Sequence, residues 1–367
     1  MDIGVPREIK PQEGRVALLP AQVAILVADG HRLRVETGAG SLAGAGDNDY
    51  MAAGAEILES GEAVYAASEL VVKVKEILPG EFAYLRREHV IFTNIHSALD
   101  RPQLDRLLEV GLTAIAAEET HEHGSPNSVL AGEVGALEGV RLALAPFGGV
   151  GRHFMPHFGA PPTRAVVIGL GGVGRGCLRT LCSLGLTVVG LDTDTGARRH
   201  AVLDWCRADL IVDDVGALPR YLPDADLLFN CVLWDKARSD HIVTRAMLAD
   251  MKPTAAIVDI ACDRAGAIET CRPTTWSDPV YVVDGIRHYC VDNIPGAVPV
   301  AASAGYAEAI LPALRLIARV GPLEACRRNP WIARGLTCAR GVLTLEEAAR
   351  IQDRPFTPAT EFLAGAA

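Results

Sequence analysis

Arg15, Lys75, His96 and Asp263 are charged or titratable side chains that fall just beyond short apolar runs. Arg15 closes the stretch Arg7-Glu8-Ile9-Lys10-Pro11-Gln12-Glu13-Gly14-Arg15, and its planar fork can grip a carboxylate through two hydrogen bonds, with Glu13 placed to orient it. Lys73 and Lys75 end the run Val71-Val72-Lys73-Val74-Lys75; two residues apart on a strand, they are expected on one face. His96 holds the same position after Val90-Ile91-Phe92-Thr93-Asn94-Ile95, and an imidazole titrating near neutrality suits proton transfer. Asp263 follows Ile257-Val258-Asp259-Ile260-Ala261-Cys262. A cation for a carboxylate, a proton carrier and a second acid are the equipment of hydride transfer at a small charged substrate. Two of them have a plainer reading too: a solvated charged loop for Arg15, a hydrogen-bonded structural imidazole for His96.

Hydride chemistry needs a carrier, and residues 164–194 read as its site. A β-branched apolar run at 165–168 has the character of a central parallel strand. Gly169, Gly171 and Gly174 follow at once in a G-x-G-x-x-G pattern, with Val173 inside it: a tight turn, room for a pyrophosphate and close helix packing. The helix opening there offers backbone N–H groups and its positive dipole end to phosphate. A second apolar strand at 187–191 ends in Asp192, which is placed to accept hydrogen bonds from an adenosine ribose. A carboxylate at that point selects NAD over NADP, although Arg198 and Arg199 keep an NADP reading open.

The elements that must hold these groups alternate along the chain. Strands are expected at 3–5, 33–36, 70–74, 90–93 and 113–116, with helices at 21–28 and 101–109. Further strands are expected at 210–212, 227–230 and 255–259, and helices at 306–320, 323–328 and 345–352. The segment 133–146 reads as a connecting helix before a hinge-like loop. The predicted fold class is α/β, with two Rossmann-like domains of mostly parallel sheet. Residues 1–130 and 301–367 are expected to form a discontinuous substrate domain and 131–300 the NAD-binding domain.

A net charge of −10 argues against nucleic-acid and anionic-membrane partners, because phosphates would be repelled. No unbroken apolar run reaches membrane-spanning length and no signal-like segment heads the chain, so a cytoplasmic location is expected. Nine cysteines lack C-x-x-C spacing and read as reduced core thiols, Cys262 being the candidate for a reactive one. His121 and His123 flank Glu122 without a third ligand, which favours a solvated loop, so no metal is expected.

End to end, the chain resembles the alanine dehydrogenases and related amino-acid dehydrogenases, which share a fold with the nicotinamide-binding subunit of transhydrogenase. The resemblance rests on Gly4-Val5-Pro6-Arg7-Glu8 through Arg15-Val16-Ala17, Lys73-Val74-Lys75-Glu76, Phe92-Thr93 through His96, Asp259-Ile260-Ala261 with Asp263, Arg272-Pro273-Thr274-Thr275 and Asn293 with Pro295-Gly296-Ala297-Val298-Pro299. It implies that Arg15 and Lys75 hold a substrate carboxylate, that His96 is the acid/base and that Asp263 assists at the amino-bearing carbon. Asn293 and the Val232-Leu233 loop would line the nicotinamide, and a homo-oligomer is implied. The implied reaction is NAD-dependent, reversible oxidative deamination of an L-amino acid to a 2-oxo acid and ammonium. Several positions depart from the family. Ala117 stands where a tyrosine is usual, Asn94 where a bulky apolar or aromatic side chain is common, and Leu130-Ala131-Gly132-Glu133 replaces a Pro-Met-Ser-Glu stretch. Trp234-Asp235-Lys236-Ala237-Arg238 replaces a Pro-Gly loop, and Arg264-Ala265-Gly266 replaces Gln-Gly-Gly. Less bulk beside the substrate, with Asn94 among its contacts, predicts an amino acid other than alanine, larger or more polar. Two other readings stay open: an imine reductase joining an amino acid to an oxo acid, and a non-catalytic NAD-binding module.

Overall fold

Short β-branched runs cut off by glycine, proline or charged residues make the strands, and the helices between them turn apolar faces onto the sheets. The computed structural model describes residues 1–121, 125–205, 209–235, 238–262 and 264–365. In chain order the strands are β1 (Asp2–Val5), β2 (Arg32–Glu36), β3 (Glu56–Leu58), β4 (Leu70–Val72), β5 (Val90–Thr93) and β6 (Thr113–Ala116). Then come β7 (Arg164–Ile168), β8 (Thr187–Leu191), β9 (Leu210–Asp213), β10 (Leu227–Asn230), β11 (Ala256–Asp259), β12 (Val280–Val283) and β13 (Ile286–Tyr289). The last are β14 (Leu336–Ala339) and β15 (Val342–Leu343).

The chain divides into one unit made of Met1–Asn127 and Gly296–Ala367 and another made of Ser128–Pro295. The first holds a sheet in the order β15-β14-β6-β5-β4-β1-β2-β3. It is parallel from β3 to β6, in registers such as Ile3 opposite Leu33 and Leu70, and only β14 and β15 run antiparallel to their neighbours. The second holds β12-β13-β11-β10-β7-β8-β9, parallel except for the edge strand β12. Six strands in each sheet follow the doubly wound order 3-2-1-4-5-6, which reverses direction between β1 and β4 in one unit and between β7 and β10 in the other. At such a reversal the loops leaving the carboxyl ends diverge and open a crevice for a ligand.

Ile3, Val5, Leu33, Val35, Leu70, Val72 and Phe92 build one core with Tyr306, Ile310, Leu314 and Ile317 of the helix Pro299–Val320. By length and composition alone that helix could cross a membrane, although Glu308, Arg315 and Arg319 interrupt its apolar run. It reads as a core helix: one face is buried in the first unit, while Glu308 accepts from Gln22 (3.2 Å) and Arg315 pairs with Asp29 (2.6 Å) on the other. Val166, Ile168, Val189, Leu191, Leu228 and Ile257 centre the other core. The helix expected as a connector begins earlier, as Ser128–Leu142, and packs within the second unit on β10, β11 and the helix Gly172–Leu184.

Strand β4 stops at Val72, two residues short of the expected end, and this corrects the reading of the lysine pair. Past the strand end the two-residue alternation no longer governs direction. The Lys73 ammonium turns into the protein against Glu81 (2.6 and 2.8 Å) and Glu8 (3.4 Å), whereas that of Lys75 reaches Glu76 at 3.7 Å. Burial works to depress Lys73, but the two carboxylates outweigh it and hold the ammonium above its ordinary pKa.

Candidate active site

In the first unit the loops leaving β1, β4, β5 and β6 carry Arg15, Lys75, His96 and Glu118, all at the carboxyl edge of neighbouring parallel strands. Arg15 is 4% exposed and engages Glu13 through Nε (2.8 Å) and Nη2 (2.6 Å), so Glu13 holds one edge of the guanidinium in a fixed plane. Asn127, with its amide oxygen turned to accept from Arg15 Nη1 (3.3 Å), donates to the Ala302 carbonyl (3.2 Å). The next residue, Val16, donates its backbone N–H to Ser303 (3.0 Å), which ties the arginine loop to the helix Pro299–Val320.

Lys75 is buried at the crevice side of β4, its backbone N–H donating to Glu8 (3.1 Å) and its carbonyl accepting from Thr93 (2.7 Å). Asn94 is buried and accepts from the Tyr306 phenol at 3.4 Å, which also donates to the Lys73 carbonyl at 3.1 Å. His96 stands in the left-handed backbone region at φ 47°, a conformation that a non-glycine residue adopts only when its surroundings enforce it. Glu118 does the enforcing: its carboxylate accepts from the backbone N–H of His96 (2.8 Å) and of Ile95 (3.1 Å). The imidazole is half exposed, with Nδ1 3.4 Å from the same carboxylate. Burial pushes the Glu118 carboxyl up to about 7, against the hydrogen bonds from His96 and Ile95 that favour its ionised form.

In the second unit the reversal between β7 and β10 carries the glycine turn. Gly169 has φ 87°, and a Cβ there would meet Val232 Cγ2 at 2.9 Å. A Cβ on Gly174 would lie 1.9 Å from the Gly169 carbonyl, so helix and turn fit only without one. Gly171 faces open space and caps the helix Gly172–Leu184 with no side-chain bond, which leaves that helix end to a phosphate; Val173 is half-buried in its first turn. The two acids beyond β8 divide their tasks. Asp194 caps the helix Thr195–Asp204 by accepting from Ala197 (2.6 Å), whereas Asp192 accepts from Leu170 (2.6 Å) inside the glycine turn and from Asp194 (2.8 Å). Arg198 is drawn to Asp214 and donates to the Asp192 carbonyl (2.8 Å). Val232 donates to Asn230 (3.2 Å), Leu233 is 90% exposed, and Asn293 is buried with its carbonyl bonded to Trp276 (3.0 Å). Asp263 lies outside the described residues, as do Glu122, His123, Lys236 and Ala237.

The structure thus groups Arg15, Lys75, Asn94 and His96 at one sheet edge, and Gly169, Gly171, Val173, Gly174, Asp192 and Val232 at the other. The sequence reading missed Glu118, Asn127 and the role of Tyr306. Glu118 had a signal, since it follows its strand as His96 follows β5; Tyr306 and Asn127 reach Asn94 and Arg15 only through tertiary packing.

Two doubly wound sheets, one with a glycine cradle at its reversal and one with Arg15 and Lys75 at its reversal and His96 beyond the next strand, have the arrangement of a two-domain dehydrogenase. Residues 4–131 match the family model described as alanine dehydrogenase/PNT, N-terminal domain, and residues 136–346 match its C-terminal domain. The chain is 35% identical to an alanine dehydrogenase of Mycolicibacterium smegmatis over 99% of this chain and 100% of that one. It is 36% identical to an alanine dehydrogenase of Bacillus subtilis over 99% and 98%. A solved L-alanine dehydrogenase superposes with a TM-score of 0.88 at 34% identity, covering 96% of this chain and 99% of the other. The chain belongs to the alanine dehydrogenase/PNT family. It is an NAD-dependent oxidoreductase that acts on the CH–NH2 group of amino acids.

Proposed function

We propose that this enzyme oxidatively deaminates an L-amino acid larger or more polar than alanine, and runs the reverse amination. The observation that carries the proposal is the pair Asn94 and Ala117, both buried at the carboxyl ends of β5 and β6, where the family usually has bulk. A buried amide beside Tyr306 favours a side chain with which it can hydrogen-bond, and Ala117 brings less bulk than the tyrosine that the family resemblance puts at that position.

In this reading the substrate carboxylate lies against Arg15 and Lys75, with Glu13 and Asn127 fixing the guanidinium. NAD, when bound in the glycine turn with Asp192 at its ribose and Val232, Leu233 and Asn293 toward its nicotinamide, supplies the two-electron acceptor. The amino acid, its amine first deprotonated, gives up hydride at its α-carbon and becomes an iminium; water adds to that carbon, losing a proton to His96, which returns it to the carbinolamine nitrogen, and as the C–N bond breaks the hydroxyl proton passes to the departing ammonia, leaving a 2-oxo acid and ammonium. The sum is amino acid, NAD+ and water going to oxo acid, ammonium, NADH and a proton. Glu118 holds the His96 backbone and stands 3.4 Å from its imidazole Nδ1, while Asp263 acts at the amino-bearing carbon. The same reading carries homo-oligomeric assembly.

The test is the initial rate of NAD reduction over a panel of amino acids, and of NADH oxidation with ammonium over the matching oxo acids. A larger or polar amino acid should exceed alanine in kcat/KM by roughly 10- to 200-fold, the discrimination that one or two side-chain contacts supply. Preference for alanine itself would refute the reading.

A further inference from the structure

Three cysteines that the dehydrogenase chemistry does not use converge in the second unit. Cys262 lies beyond β11, Cys290 directly follows β13, and these two strands are parallel neighbours with Val258 opposite Tyr289. Cys271 returns to them from the segment between β11 and β12, its backbone N–H bonded to Ile268 (3.1 Å) and its carbonyl accepting from Ala265 (2.9 Å). The three sulfur atoms lie within 4.8 Å of one another, and those of Cys271 and Cys290 are 3.6 Å apart. Cys271 and Cys290 are buried and Cys262 is partly exposed, which gives the cluster one open side.

We propose that Cys262, Cys271 and Cys290 form a three-thiolate site for one thiophilic d10 cation of the Zn2+ class. With Zn–S bonds near 2.3 Å, ligand sulfurs of a tetrahedral site stand about 3.8 Å apart, so the cluster needs to close by less than about 1 Å. Thiolates select such ions over Mg2+ or Ca2+, whose preferred ligands are oxygens. Each thiol that ligates releases one proton to solvent, so binding three sulfurs frees three protons per ion and tightens as pH rises. Tyr281 is 3.5 Å from Cys290, but its phenol already donates to the Thr270 carbonyl (3.0 Å) and accepts from the Arg272 N–H (2.8 Å). The fourth corner therefore falls to water or another small ligand on the Cys262 side. Bound metal would clamp the ends of β11 and β13 to the segment between them, next to Asp263 in the chain.

The cluster has an internal control. Cys177 and Cys231 form a second close pair, with sulfurs 3.7 Å apart under the glycine turn, and a metal drawn merely to adjacent thiols would go there as readily.

The test uses the full chain, reduced and handled without oxygen. Cd2+ is titrated while the ultraviolet sulfur-to-metal charge-transfer band is followed, and Zn2+ is then measured by competition with a chromophoric chelator. One equivalent should saturate the band. Outer-shell changes alone weaken metal sites by 10- to 100-fold, so Cys262→Ser and Cys271→Ser should each weaken binding by more than about 100-fold. Cys177→Ser should leave it unchanged. NAD affinity serves as the folding check, and the partly exposed Cys262 carries the test if Cys271→Ser does not fold. No band at one equivalent, or a band equally strong in Cys262→Ser, would overturn the site.

Discussion

Glu118→Gln probes the link between the buried acid and the imidazole it supports. In the native protein the Glu118 carboxyl is held near 7 by burial, against an ordinary value of 4.5 in the unfolded chain. For an acid raised on folding the sign is fixed: between those values the folded state keeps a proton that the unfolded state releases, so stability falls as pH rises through the window. At 1.36 kcal/mol per unit the rise corresponds to about 3 kcal/mol, present below pH 4.5 and lost by the time pH passes 7. Glutamine cannot ionise, so the variant lacks this slope. The assay is urea unfolding of both proteins from pH 4 to 8, taking variant minus wild type at each pH so that every other titrating group cancels. The difference should climb toward the variant by about 3 kcal/mol across the window. A level difference would mean that Glu118 titrates as an ordinary surface acid, with the hydrogen bonds from His96 and Ile95 cancelling the effect of its burial.

Lys73→Met leaves Glu81 and Glu8 facing each other in the interior and should cost about 3–5 kcal/mol in urea unfolding, the penalty of breaking a buried ion pair; a loss below about 1 kcal/mol would show that the carboxylates take up protons at no cost. Asp192→Ala removes the acceptor for the Leu170 and Asp194 N–H groups and should weaken NAD by roughly 10- to 100-fold in fluorescence titrations, with a smaller change in amino-acid KM. The reverse ordering of those two effects counts against a ribose role. His96→Ala should abolish turnover in steady-state assays while NAD affinity stays within about twofold, because its imidazole lies in the first unit and the glycine cradle in the second; retained turnover would remove His96 from the mechanism.

How far the sequence could be read depended on whether a feature is local. The run from Arg164 through the glycines to Asp192 carries its own strand, turn, helix and acid, and all four stand where the pattern puts them. Strands β12 to β15 escape the sequence reading, although the Asp284-Gly285 turn of the first hairpin is a recognisable signal. Asp284-Gly285 and Arg340-Gly341 are two-residue turns with positive φ at each position, flanked by strand-forming residues. Edge strand β3 is three residues long and partly exposed, too short for a periodic signal. Within the site, Arg15 and Glu13 are two residues apart and their bond was foreseeable, whereas Tyr306 meets Asn94 across 212 residues of chain. The lysine pair misled because the strand ends before it, and nothing in Lys-Val-Lys marks that end.

The two sheets share one strand order but greet their ligands differently. After β7 the chain offers bare backbone to a phosphate; after β1 it offers the Arg15 side chain, held in place by Glu13. The crevice in each comes from the direction in which the chain is wound, and its occupant is decided by a few residues beyond the innermost strand. A scaffold of this kind can trade one metabolite for another by editing short loops while the sheet beneath stays as it was, and the divergent side chains at positions 94 and 117 lie in those editable stretches.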